Sequence, residues 1–139
     1  MIKWKFASKL KEYNLTPAQW GLIKDISVQE EKQVADLQNF TPAMIAQRLY
    51  LDRPTVSGVI DRAVKNGWVE RLNNPEDRRS QIIRLTGQSR SLIGELNCLG
   101  NEIMEYSVTG LSAQEINMLK MFLTKMIHNL SEDPEGVHG

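Results

Sequence analysis

Residues 51–86 read LDRPTVSGVIDRAVKNGWVERLNNPEDRRSQIIRLT. After Pro54, Val56, Val59, Ile60, Ala63 and Val64 recur at helical spacing. Pro54 suits the start of that helix, and Asp52 or Arg53 stands before it. Thr55, Ser57, Gly58, Asp61 and Arg62 fall on the other face, and Gly67 supplies a left-handed stop. Residues 68–72 and 81–85 read as strands, with Asn73-Asn74-Pro75-Glu76-Asp77 as turn chemistry between them. The hairpin tip then carries Arg78 and Arg79. A short helix followed by a basic hairpin has the shape to occupy two neighbouring grooves of duplex DNA.

Working outward, residues 2–13 place Ile2, Phe6, Leu10 and Tyr13 at helical spacing. Thr16-Pro17 starts a second helix, with Gln19 placed as in a capping box and Trp20, Leu22, Ile23 and Ile26 as its apolar face. Residues 29–39 are polar and hold neither Gly nor Pro, so they fit an extended helix or a loose loop. Thr41-Pro42 repeats the start signal, with Ile45, Ala46 and Leu49 as the inward set. Beyond the hairpin, Thr86 caps a long helix with Leu92, Ile93, Leu96, Leu99, Ile103 and Tyr106 as apolar positions. Ser112 and Glu115 form a capping box for a last helix bearing Ile116, Leu119, Phe122, Leu123, Met126, Ile127 and Leu130.

The order is four helices, a hairpin and two helices. This predicts a mainly α fold: a winged helix-turn-helix with a two-stranded hairpin wing. The N- and C-terminal helices have apolar stripes that want a partner, which predicts a dimerisation layer. The expected organisation is a single domain over 1–139, with a DNA-binding lobe at 15–86. Helical dimerisation regions lie at 1–14 and 87–130, and residues 131–139 form a disordered tail.

Composition narrows the function classes. The 139 residues carry no formal net charge, with 41% hydrophobic and 24% charged residues, ordinary for a folded chain. Charge is nonetheless segregated. From Arg53 to Arg90 there are eight basic residues against four acids, so this window is basic and the remainder acidic. The single cysteine, Cys98, excludes an intramolecular disulfide and a thiolate cluster; its apolar surroundings predict a packed thiol rather than a redox sensor. His128 and His138 are far apart, so no metal site is expected. Residues 1–13 do not read as a secretory leader, no run is long enough to span a bilayer, and no phosphate loop or catalytic motif is visible. These readings predict a cytoplasmic, non-enzymatic protein without cofactor or membrane partner.

The runs LTPAQWGLI, LDRPTVSGVIDR and NGWVERLNNPEDRRS and the IRLT strand end resemble the MarR family of bacterial transcription regulators, over about residues 15–130. The motif Asp77, Arg79, Leu85, Thr86 in a hairpin after a Gly-terminated helix is the most specific part. The resemblance implies a homodimer, a palindromic operator, and repression relieved by a small ligand or an oxidant. It also implies that Asp77 pairs with Arg79 and orients it. Three features depart from the family pattern: a short segment before Leu15, a longer stretch from Ile26 to Thr41, and Ala63-Val64 in place of Leu and a polar residue.

The candidate DNA-binding residues are Arg53, Thr55, Ser57, Gly58 and Arg62 for a major groove, and Arg78 and Arg79 for a minor groove, with Asp77 orienting the wing. The plain alternative for each patch is a solvated polar surface. Trp20, Met44 and Tyr50 are candidates to line a site for a small aromatic or apolar acid effector. Two other functions fit the same pattern: a winged helix that binds a protein instead of DNA, and a DNA-binding regulator that ignores ligands.

Overall fold

The computed structural model describes residues 2–32 and 36–131, with side chains from Ala7 to Leu130 outside the 33–35 gap. The expected tail, His138, and the side chains of Ile2 and Phe6 lie outside the described residues. The chain divides into two compact units, Met1–Gly100 and Asn101–Gly139.

The first unit holds α1 (Ile2–Glu12), α2 (Pro17–Glu31), α3 (Pro42–Leu49), α4 (Arg53–Lys65), β1 (Val69–Asn73) and β2 (Gln81–Leu85), and most of α5 (Gly87–Ser107). A one-turn 3-10 helix, Leu37–Phe40, lies between α2 and α3. The residues left open between helix and loop therefore do both: α2 runs to Glu31, and a capped turn follows from Asp36.

Local chemistry sets the boundaries. Thr16 Oγ1 accepts from the Gln19 N–H, and Thr41 Oγ1 from the Met44 N–H. The reciprocal half of the Thr16 capping box is not made, since Gln19 Oε1 is buried without a partner. Gly67, at φ +81°, closes α4 with two reversed bonds, from its own N–H to Val64 O and from Trp68 N–H to Ala63 O.

One core joins these elements. Leu22, Ile23 and Ile26 of α2, Ile45 and Ala46 of α3, and Val56, Val59, Ile60 and Ala63 of α4 are buried together with Ile82, Ile83 and Leu85 of β2. The antiparallel hairpin pairs Val69 with Leu85 and Asn73 with Gln81. Leu10 and Leu96 also enter this core, so α1 and the first half of α5 pack on the lobe itself. Glu95 reinforces the seam by accepting from the Tyr13 hydroxyl (2.8 Å) and pairing with Lys9 (3.3 Å). Those bonds, Tyr13 first, hold the Glu95 carboxyl below its usual range.

Cys98 corrects an expectation: it is exposed, not packed. It stands two residues after buried Leu96, about 200° around the helix. Leu92, Ile93 and Leu96 set the face that meets the core, and Cys98 points elsewhere.

The second unit holds the end of α5 and α6 (Ala113–Ser131). Here the capping box is complete: Ser112 N–H donates to Glu115 Oε1 and Glu115 N–H to Ser112 Oγ. Along α6, Leu119, Phe122, Leu123, Met126, Ile127 and Leu130 are all exposed.

Candidate nucleic-acid interface

Helix α4 is aimed by a tight entry. Tyr50 closes α3 in the left-handed region (φ 56°), which is uncommon for a residue with a side chain. Asp52 then caps α4, its Oδ1 accepting from the Thr55 N–H at 2.7 Å. That backbone donor holds the Asp52 carboxyl below the usual aspartate range. The apolar face of α4 is spent on the core, which turns Arg53, Thr55, Ser57 and Arg62 outward, all exposed.

Gly58 lies among them. Glycine inside a helix costs about 1 kcal/mol relative to alanine. The fold does not require it: a Cβ there would meet only the Arg62 guanidinium, at an ordinary 3.4 Å. The space over Gly58 is instead where the Arg62 side chain lies. Asp61, on the same side of α4, is engaged by Arg71 from β1, so its charge is partly offset.

The wing is ordered from within. Asp77 Oδ1 accepts from the Arg79 backbone N–H (2.9 Å) and from Arg79 Nε (3.2 Å). The backbone donor and then the guanidinium hold the Asp77 carboxyl below its usual range. The Arg79 side chain remains 92% exposed. Arg78 beside it is exposed and has no hydrogen-bond or ion-pair partner among the described residues.

The basic window thus splits in two. Arg84 and Arg90 both donate to Glu30 Oε2, Arg84 also lies over the Phe40 ring, and Arg90 reaches Leu85 O. These arginines are structural. Arg53, Arg62, Lys65 and Arg78 have no carboxylate partner among the described residues, and Arg79 has only the local one. The cations left over are those on the outer face of α4 and at the wing tip.

A family model described as the MarR family matches residues 15–81. Solved structures agree. A MarR protein from Peptoclostridium difficile shares the fold (TM-score 0.76, 20% identity, 88% of this chain and 75% of that one). A mutant MarR from E. coli complexed with operator DNA aligns at 27% identity over 91% of this chain and 88% of that one, with a TM-score of 0.68. The MepR–DNA complex from S. aureus aligns at 26% over 92% and 90%, with a TM-score of 0.60. The chain is therefore similar to the MarR family, in sequence over residues 15–81 and in fold over most of its length. That likeness supports a MarR-type DNA-binding transcription regulator, a class of non-enzymatic proteins.

Within this MarR-like lobe, sequence reasoning missed the supports of the wing. Asn74 is buried and exchanges two amide hydrogen bonds with Gln38 of the 3-10 turn, each 2.9 Å. Glu30 gathers Arg84 and Arg90. These partners stand 36 to 60 residues apart and leave no local pattern to read. The effector candidates sit differently from one another. Trp20 packs at the edge of the core, Met44 is half-buried in the first turn of α3, and Tyr50 is 60% exposed. Among the described residues, no helix is long and apolar enough to cross a membrane and no cluster of His, Cys, Asp and Glu is placed to hold a metal.

Proposed function

We propose that this chain is a MarR-type regulator that works in the cytoplasm as a homodimeric repressor of a pseudo-palindromic operator. Residues 53–62 lie in a major groove of each half-site and the 73–80 wing lies in the neighbouring minor groove. Arg53, Thr55, Ser57, Gly58 and Arg62 are the major-groove set. Arg78 and Arg79 are the minor-groove set, with Asp77 holding Arg79. The observation that carries this reading is the sorting of charge: the arginines beside Glu30 are paired, while those on the face of α4 and at the wing tip are left for a polyanion. Gly58 adds to it, because its helix cost has no return within the chain. Relatives solved on DNA support the same use.

The two copies join through residues 1–14 and 87–130, with the apolar stripe of α6 at the centre, leaving 15–86 as the reading lobe. A small aromatic or apolar acid, met by Trp20, Met44 and Tyr50, relieves repression by favouring a lobe spacing unsuited to the operator. Selection of bound sequences from a random duplex pool, repeated across salt and with candidate acids, tests the whole reading. A pseudo-palindromic motif and a steep loss of affinity with salt are expected. Salt-insensitive binding, or no enriched sequence, overturns it; enrichment that no acid disturbs removes only the effector.

A further inference from the structure

The wing is braced from one side by the segment that joins α2 to α3. Asn74 opens the wing loop and is 4% exposed. Its Oδ1 accepts from Gln38 Nε2 and from the Glu76 N–H (3.0 Å), while its Nδ2 donates to Gln38 Oε1. One side chain therefore both shapes the first turn of the loop and locks it to the 3-10 turn Leu37–Phe40. That segment and the last turn of α2 make two further holds. Phe40, almost fully buried, lies 4.6 Å under the Arg84 guanidinium, and Glu30 takes Arg84 at 2.8 Å. Strand β2 is thus anchored near Arg84, and the loop at Asn74. Only the tip, Asp77 to Arg79, projects without support from another element among the described residues.

A two-stranded hairpin is weakly stable alone, and a guanidinium at its tip gains little if its direction is undefined. We propose that Gln38 is a positioning residue for DNA binding. Through its paired amide bonds to Asn74 it sets the direction of the wing, so that Arg78 and Arg79 meet the minor groove already ordered. Gln38 touches no DNA; it acts through Asn74. This inference rests on the DNA reading above.

The test is a mutant cycle on operator affinity in the full chain. Gln38→Ala and Gln38→Met are each made in the parent and in a chain carrying R78A and R79A. The Met variant keeps the volume of Gln38 and removes both amide bonds, so it serves where the Ala variant folds poorly. In the parent, each substitution weakens binding about tenfold. In the chain without tip arginines, the same substitution changes affinity less than about twofold, because there is no guanidinium left to aim. If the parent binds duplex DNA and the Gln38 variants match it, the positioning role is wrong and the DNA reading stands. A loss that persists undiminished without the tip arginines also overturns it, since Gln38 then acts through general stability. If the parent binds no duplex DNA, the DNA reading itself fails and takes this inference with it.

Discussion

Helices α4 and α6 carry the same kind of apolar stripe and meet opposite fates. On α4, Val56, Val59, Ile60 and Ala63 are 4% exposed or less. On α6, Met118, Leu119, Met121, Phe122, Leu123, Met126, Ile127 and Leu130 are between 40 and 81% exposed. An amphipathic pattern states that a face will be covered, not which chain covers it. Helix α4 is covered by its own lobe, which frees its polar face to be presented. Helix α6 has an apolar face broad enough to mark an interface and not a tolerated surface. One stripe builds the core of its own lobe; the other asks for a second copy.

The contrast breaks most visibly at α4. Ile60→Ala removes a side chain 1% exposed in the core and should cost about 2–5 kcal/mol in unfolding measurements. A loss under about 1 kcal/mol would mean the lobe is not packed as described. On α6 a comparable injury should show in association instead. Leu123→Asp puts a charge into the proposed interface and should weaken the dimer at least about 100-fold by sedimentation, with the lobe's tryptophan spectrum unchanged. A dimer that persists would place the interface elsewhere. The contrast then sharpens at the wing. Arg79→Ala leaves the core untouched and should lower operator affinity roughly 10- to 100-fold at unchanged melting temperature. Unaltered affinity would remove the wing from the contact.

Much of this was legible beforehand because the signals are local. Thr16, Thr41 and Ser112 cap helices through residues three positions away, and Gly67 stops α4 through bonds to the helix it ends. The α4 face and the tip arginines follow from period and position. What was hidden is non-local. Gln38 and Asn74 are unremarkable polar residues until the fold sets them together, and Glu30 looks like one more charge on a polar stretch. Cys98 shows a different limit. Apolar neighbours in sequence surround it, yet a helix turns by about 100° per residue, so neighbours in sequence need not share its face. The same limit makes charge counts coarse: Arg84 and Arg90 add to a basic window, yet both are spent on Glu30 within the fold's own ion pairs.

The smallest effect expected concerns acid. Asp52 and Asp77 fix the start of α4 and the turn of the wing, and the carboxyls of both are held below the usual aspartate range because backbone N–H groups bind their ionised forms. A carboxylate depressed in the folded state stabilises that state fully above its unfolded pKa. That stabilisation is lost as pH falls through the folded pKa, so the window lies below about pH 4. Asparagine caps helices about as well as aspartate and does not titrate. Asp52→Asn should therefore hold α4 at neutral pH and show a shallower loss of stability on acidification than the parent, read as urea midpoints at several acidic pH values. Asp52→Ala should lie below both at neutral pH, since it leaves the Thr55 N–H without its acceptor. Parent and Asp52→Asn curves that fall in parallel would show that the start of α4 is held by the packing of Val56, Val59 and Ile60 alone, with the cap contributing direction but no acid-sensitive stability.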